Sequence, residues 1–171
     1  GQHIASTMAQ IVCEELGAKW SDMRVNLASN DPKFNDPVLG AQITGGSWST
    51  MMNFDAMSRA GAAGRIALTE GAAAAMGLPP DFKDELIVRD SMVIHPKTKK
   101  SMSFADIVKS GKATKTFTPD ELKALKLKSP DQYTLIGVSV PQLDIPSKTN
   151  GTAKYGIDVM VPGMVYGAVV T

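Results

Sequence analysis

The chain has 171 residues, of which 43% are apolar and 20% are charged, and its formal net charge is +1. This composition is typical of a globular protein with one core, or with one domain and the start of a second, and the near-neutral charge argues against nucleic-acid binding. The chain has one cysteine, Cys13, and two histidines, His3 and His95, which excludes an intrachain disulfide and a cysteine-cluster metal site.

An amphipathic helix is predicted for residues 4–16. Apolar side chains recur there at helical spacing, at Ile4, Met8, Ile11, Val12 and Leu16. Gly17 follows as a natural C-terminal stop. The adjacent acids Glu14 and Glu15 would point about 100° apart on this helix. They therefore do not form a carboxylate pair, and we expect one or both to be solvated.

A turn at residues 20–22 leads into an alternating segment, residues 23–28, that predicts a half-buried strand. Residues 29–46 are rich in Asn, Asp, Pro and Gly and predict a long loop. Long loops inside compact domains are uncommon and are often functional.

A second, longer helix is predicted from about Ser47 to Met76, with Gly77 as its stop. Its interior contains many alanines and the glycines Gly61 and Gly64. Each glycine costs about 1 kcal/mol relative to alanine in a helix, so a helix or sheet is expected to pack very close to it. Gly71 marks a candidate break.

Shorter elements follow. Residues 85–89 and 92–95 predict a hairpin, Ser103 predicts a helix cap, and Thr118 with Glu121 predicts a capping box. Strands are predicted for residues 133–138, 155–159 and 164–170. The fold class is therefore α+β, with a mixed sheet and a long small-residue helix. Residues 141–150 resemble a linker between a first domain, residues 1–140, and a second that starts at residue 151.

The first candidate site is Gly1-Gln2-His3, directly before the first helix. Unpaired backbone N–H groups at a helix N-terminus attract anions, and the Gln2 amide can both donate and accept hydrogen bonds. The same residues would also serve as an ordinary polar helix cap, and His3 would then simply be exposed.

The second candidate site is Thr44-Gly45-Gly46-Ser47, at the start of the long helix. Glycines allow a ligand to approach the backbone closely, and the helix N-terminus favours phosphate. The segment lacks the lysine of a Walker loop and the spacing of a dinucleotide fingerprint. An ordinary loop-to-helix cap through Ser47 is the alternative.

The order of these segments resembles the molybdopterin-binding large subunit of the xanthine oxidase/aldehyde oxidase family. The resemblance rests on the opening Gly-Gln and on Ile11-Val12-Cys13-Glu14-Glu15-Leu16-Gly17. It also rests on Trp20-Ser21-Asp22-Met23-Arg24-Val25, Thr44-Gly45-Gly46-Ser47, and Gly151 to Val159 with Pro162-Gly163. The last block resembles the start of an a/b hammerhead domain. The order of the blocks resembles the branch of isoquinoline 1-oxidoreductase beta subunits and membrane-associated aldehyde dehydrogenases.

The resemblance implies a molybdenum hydroxylase that oxidises an aromatic N-heterocycle or an aldehyde with oxygen from water. It implies a molybdopterin cofactor with molybdenum, in bacteria often the cytosine dinucleotide form. The iron–sulfur clusters would lie on a separate small [2Fe–2S] subunit, some branches adding a cytochrome subunit. The resemblance makes Gly1, Gln2, Thr44, Gly45, Gly46 and Ser47 cofactor-binding residues. No residue matches the family's catalytic glutamate, so no catalytic residue and no protein metal ligand is assigned.

Two residues depart from the family pattern. His3 replaces a glycine, and Trp48 stands where many relatives have an arginine that could pair with a phosphate. We expect the chain to be a fragment that contributes cofactor contacts and is inactive alone. Two alternatives stay open: a non-catalytic module that only packs against a partner or the remaining chain, and a phosphate-binding protein that uses only the Thr44–Ser47 turn. The family branch leads us to expect a periplasmic or membrane-associated protein.

Overall fold

The computed structural model describes residues 3–79, 82 and 85–170. The chain divides into two compact units, one that ends at Val140 and one that begins at Pro141. In the described residues there are five α-helices and one small sheet, which agrees with the predicted α+β class. The described sheet is antiparallel and not mixed as predicted, because its three strands follow one another along the chain through short connections.

Two helices form the centre of the first unit. Helix α1 spans Ile4–Leu16 and helix α2 spans Trp48–Ala75, which confirms both predicted helices. Gly17 ends α1 with a φ of 74°, a left-handed conformation that glycine adopts without strain. The expected close neighbour of the small-residue helix is α1, because a Cβ atom at Gly61 would lie only 2.7 Å from the carbonyl oxygen of Val12.

Helices α1 and α2 run in the same direction. Gly61 in the middle of α2 contacts α1 near Val12, whereas Ile4 at the start of α1 and Ser49 at the start of α2 line one common groove. The two N-termini therefore lie at the same end of the helix pair. Because a helix N-terminus carries a partial positive charge, this end is suited to an anion.

The sheet has three short strands, β1 (Ile87–Arg89), β2 (Met92–Ile94) and β3 (Ser101–Ser103). β2 is the central strand and pairs antiparallel with both neighbours. The predicted hairpin is confirmed, whereas β3 was not predicted. Val93 of β2 is fully buried and belongs to a core with Leu68, Ala72 and Ile107.

Helix α2 passes Gly71 without the predicted break. Instead, Gly71 makes room for a neighbouring segment, since a Cβ atom there would lie 3.0 Å from the backbone of Ala113. This glycine is therefore a second point at which the long helix accepts a close approach of backbone.

Two short helices complete the first unit. Helix α3 spans Phe104–Lys109, and its cap is Ser103, whose hydroxyl accepts the N–H of Asp106 at 3.1 Å. Helix α4 spans Pro119–Ala124 and begins with the predicted capping box of Thr118 and Glu121. In the second unit, helix α5 (Ile145–Thr149) lies within the stretch predicted to be a linker.

Four predicted strands are absent from the described residues: 23–28, 133–138, 155–159 and 164–170. A strand is stable only when a neighbouring strand takes its backbone N–H and C=O groups, and no described segment does so here. In the second of these segments a side chain takes the donors, because the Glu14 carboxylate accepts the N–H groups of Thr134, Leu135 and Ile136.

The expectation that Glu14 or Glu15 is solvated was wrong, because they are only 2% and 1% exposed. Glu14 also accepts a hydrogen bond from Lys128 Nζ at 2.7 Å. Glu15 accepts one from the Lys128 N–H at 2.8 Å and pairs with Arg65 at 3.3 Å. Buried carboxylates are tolerated when charged partners and N–H donors surround them. These partners are 50 or more residues away in the sequence, so local helical spacing did not reveal them.

Candidate functional site

A groove of about 430 Å³ lies at the common N-terminal end of α1 and α2. The loop before α2 forms its other wall. Its lining residues come from three segments: Ile4 and Met8 of α1; Ala28, Phe34, Asn35, Asp36, Pro37, Leu39, Ala41, Gln42, Ile43, Thr44 and Gly45 of the loop; and Trp48, Ser49, Met52, Asn53 and Met57 of α2.

The loop enters α2 through two successive residues in the left-handed region, Gly46 with a φ of 53° and Ser47 with a φ of 61°. The N–H of Trp48 donates to the carbonyl oxygen of Gly45 at 3.0 Å. The Ser47 side chain makes no capping hydrogen bond. The ordinary cap through Ser47 is therefore not formed, and the first turn of α2 lacks this side-chain acceptor for its N–H groups.

The structure places Thr44 and Gly45 on the groove wall, whereas Gly46 and Ser47 lie next to it in sequence without lining it. A Cβ atom at Gly45 would meet nothing within 4 Å. The space in front of this glycine is therefore open to a ligand that approaches the backbone.

Ser49 is a candidate residue that the sequence reasoning missed. It lines the groove, is only 7% exposed, and its hydroxyl is buried with no hydrogen-bond partner in the described part of the chain. Leaving a buried hydroxyl unpaired costs about 1–3 kcal/mol, which a ligand oxygen would offset. The available signal was a second hydroxyl residue in the first turn of a helix that follows two glycines.

The polar side chains of the groove are held in place by the backbone. Asp36 accepts the N–H groups of Val38 at 2.8 Å and Leu39 at 2.9 Å, and Gln42 Nε2 donates to the carbonyl oxygen of Ser29 at 2.7 Å. Asn53 Nδ2 donates to the carbonyl oxygen of Ser49 at 2.9 Å. The wall is therefore shaped before any ligand arrives, which lowers the entropic cost of binding.

The remaining surface of the groove is apolar and adaptable. Met8, Met52 and Met57 contribute flexible thioether side chains, which fit irregular ligands. Trp48 is 49% exposed, and its indole lies 3.6 Å from the position of a Cβ atom at Gly46. A ligand with an anionic group and a flat apolar part would find complementary chemistry here.

Of the other predicted site, Gly1-Gln2-His3, the structure describes only His3. Gly1 and Gln2 lie outside the described residues. His3 is exposed, precedes α1 with a φ of 52°, and its carbonyl oxygen accepts the N–H of Thr7 at 3.1 Å. Across residues 3–79, 82 and 85–170, no group of three or more His, Cys, Asp or Glu side chains is arranged to hold a metal ion.

Two larger cavities have less suitable walls. One, of about 540 Å³, contains Arg65, Lys115 and Lys128, but these cations pair with Glu15, Glu70 and Glu14 respectively. The other, of about 640 Å³, contains Cys13. Burial, followed by the charge of Glu14, raises the pKa of the Cys13 thiol to about 11, which makes it a poor nucleophile or ligand.

Comparison with known proteins shows the family of the chain. The model of the family described as "Molybdopterin cofactor-binding domain" matches residues 1–160. The chain is 44% identical over 168 residues to a "Membrane-bound aldehyde dehydrogenase [pyrroloquinoline-quinone]" of Gluconacetobacter polyoxogenes, covering 98% of this chain and 20% of the relative.

Two further relatives are similar at lower identity. The chain is 31% identical over 201 residues to the beta subunit of an isoquinoline 1-oxidoreductase of Brevundimonas diminuta, covering 100% of this chain and 25% of the relative. It is 31% identical over 170 residues to one subunit of a nicotinate dehydrogenase of Pseudomonas putida, covering 99% of this chain and 13% of the relative. The chain therefore spans between 13% and 25% of the length of these relatives. None of the helices in the described ranges has the length and apolar character needed to cross a membrane.

Proposed function

Because this chain belongs to the molybdopterin cofactor-binding domain family, within the xanthine oxidase family, we propose that its groove holds the phosphate-bearing end of a molybdopterin cofactor. The observation that carries the proposal is the buried, unpartnered hydroxyl of Ser49 in the first turn of α2. A phosphate oxygen would accept a hydrogen bond from this hydroxyl, and the positive end of α2 would stabilise its charge.

The residues of the groove fit this group. Thr44 and Ser49 supply hydroxyl donors, and Gly45 leaves space for the phosphate to approach the backbone. Gly46 and Ser47 shape the turn through their left-handed conformations. By family resemblance, Gly1 and Gln2 would contact the pterin or metal end of the same cofactor.

The complete protein is proposed to be an oxidoreductase that acts on an aldehyde or an aromatic N-heterocycle. When bound, the molybdenum cofactor supplies oxidation of the substrate with oxygen from water. This segment binds and orients the cofactor, and none of its residues is assigned to catalysis. Two of the relatives are named as single subunits of larger enzymes, which supports a multi-subunit enzyme. A small [2Fe–2S] subunit is the proposed partner, with a cytochrome subunit in some branches.

Three finer assignments are part of the same proposal. The cofactor is the cytosine dinucleotide form. Residues 1–140 belong to the cofactor-binding domain, residues 141–150 link it to the next domain, and residues 151–171 begin an a/b hammerhead domain. The printed name of one relative, a membrane-bound dehydrogenase, supports membrane association of the complete enzyme.

The proposal is tested by removing the Ser49 hydroxyl in the full-length protein. Ser49→Ala is expected to lower the molybdenum and pterin bound per protein about tenfold, since a hydrogen bond to a charged group contributes roughly 1.5–3 kcal/mol. Ser58→Ala is the matched control, because Ser58 is a buried serine of the same helix that does not line the groove.

Identification of the extracted cofactor distinguishes the competing explanations. Pterin and molybdenum in the wild type, with loss in Ser49→Ala but not in Ser58→Ala, supports the proposal. Pyrroloquinoline quinone in place of a pterin would contradict it. Equal cofactor content in both variants would instead support a module that packs against its partners without contacting the cofactor.

A further inference from the structure

The groove provides no cationic side chain for a phosphate. Among its described lining residues there is no lysine or arginine, and the charged residue in the set is Asp36, a carboxylate. A phosphate held there depends on hydroxyls, backbone N–H groups and the helix N-terminus. Such neutral donors lack the ion-pair attraction and the bidentate geometry that an arginine would add. Tight retention of the ligand therefore needs a further contact next to the phosphate position.

Trp48 offers an aromatic surface for such a contact. It directly precedes Ser49, it lines the groove, and half of its surface is exposed. Its backbone is fixed by the hydrogen bond from its N–H to the Gly45 carbonyl oxygen at 3.0 Å. Its ring rests near the Cα atom of Gly46, where a Cβ atom would lie 3.6 Å from the indole. The groove is thus lined both by a partly exposed indole and by the residue that carries the buried Ser49 hydroxyl.

We propose that Trp48 stacks on a nucleobase joined to the phosphate, and that it thereby selects the nucleotide-bearing form of the cofactor. The inference rests on the proposed function and adds the nucleobase as the part of the ligand that the indole recognises. In a molybdopterin, the ring nearest the phosphate is a non-aromatic pyran, which offers no aromatic face for stacking. A dinucleotide form places an aromatic base on the other side of the phosphates, and every base has a face that can stack on an indole.

The test compares four full-length proteins: wild type, Trp48→Ala, Trp48→Phe and Trp48→Leu. The cofactor extracted from the wild type is identified by mass spectrometry. Its rate of release from each holoprotein is then measured by following free pterin and free nucleotide. Met51→Ala is the matched control, because Met51 is 72% exposed on the same turn of α2 and does not line the groove.

We expect a nucleotide-bearing cofactor in the wild type and release on the order of ten times faster from Trp48→Ala, the size of effect that loss of one base–aromatic stack produces. Trp48→Phe should stay within about threefold of the wild type because it keeps an aromatic face. Trp48→Leu should behave like Trp48→Ala, and Met51→Ala like the wild type.

Three results would overturn the role of Trp48 and leave the proposed binding of a molybdopterin intact, although the first would also overturn the dinucleotide form. The first is a wild-type cofactor without a nucleobase, and the second is an unchanged release rate in Trp48→Ala. The third is release from Trp48→Leu as slow as from Trp48→Phe, which would show that the indole makes only apolar contact and does not stack. A wild-type protein without any pterin would instead refute the proposed function itself.

Discussion

Gly61 of α2 lies directly against the carbonyl oxygen of Val12 of α1, so closely that a Cβ atom at this glycine would lie 2.7 Å from that oxygen. This contact fixes the separation of the two parallel helices at their middle. The groove is formed at the N-terminal ends of the same two helices. The geometry of the candidate site therefore depends on a contact between two backbones outside the groove.

Gly61→Ala is expected to destabilise the fold by about 1–3 kcal/mol, because the added methyl group meets backbone that can yield only if the helices separate. Gly64→Ala is the matched control. Its Cβ atom would meet the end of the Leu16 side chain at 2.9 Å, which can rotate away, and alanine favours the helix by about 1 kcal/mol. Urea unfolding of the chain measures both. Equal stability of the two variants would show that the helices are not held at this distance.

Gly45→Ala separates folding from binding. A Cβ atom at Gly45 meets nothing within 4 Å, so the free energy of unfolding should stay within about 0.5 kcal/mol of the wild type. The same methyl group would occupy the space where the ligand approaches, and bound cofactor should fall at least severalfold. Gly156→Ala, which also meets nothing within 4 Å, should change neither quantity. Unchanged cofactor content in Gly45→Ala would place the ligand elsewhere.

Glu14 gives the first unit a dependence on pH. Burial raises the pKa of its carboxyl, but hydrogen bonds from Lys128 and from the backbone of Leu135, Ile136 and Thr134 outweigh burial, and the net shift is downward. A lowered pKa in the folded state means that the stabilisation is complete above the unfolded value, about 4.3, and is lost as the pH falls through the folded value.

Glu14→Gln is therefore expected to cost about 3–5 kcal/mol at pH 7, because it leaves Lys128 and three backbone donors poorly matched. Its unfolding free energy should approach that of the wild type as the pH falls below about 4. Glu70→Gln, which disrupts a partly exposed pair with Lys115, should cost at most about 1 kcal/mol. Parallel pH profiles for wild type and Glu14→Gln would contradict this account.

Cys13 is expected to resist alkylation in the folded protein. The pKa of its thiol is about 11, so the reactive thiolate is scarce at pH 8. The thiol also donates a hydrogen bond to the Ala18 carbonyl oxygen at 3.2 Å. Peptide-resolved mass spectrometry should find iodoacetamide labelling at least about a hundredfold slower than in the unfolded chain. Labelling at the unfolded rate would show that this part of α1 opens readily.

The sequence predicted those features that depend on neighbouring residues. The spacing of apolar side chains indicated the bounds of α1, the small residues of α2 indicated its close packing, and Ser103 and Thr118 marked two helix starts. Alternating segments such as residues 23–28 were predicted as strands because alternation shows which face is apolar. It does not show whether a partner strand is present to complete the ladder.

The site was predicted in part for the same reason. Glycines before a helix indicated the Thr44–Ser47 turn. Ser49, in contrast, shares its groove with side chains of α1 and of the long loop between α1 and α2. The buried Glu14 carboxylate likewise has its charged partner, Lys128, 114 residues further along the chain. Contacts at such separations leave no periodic pattern in one sequence.

The most direct test is a crystal structure of the full-length protein with its bound cofactor. The account predicts a phosphate in the groove, with an oxygen within hydrogen-bond distance of Ser49 Oγ and the backbone of the Thr44–Ser47 turn in contact with it. A cofactor phosphate bound elsewhere, with the Ser49 hydroxyl paired to protein, would contradict the assignment of this groove.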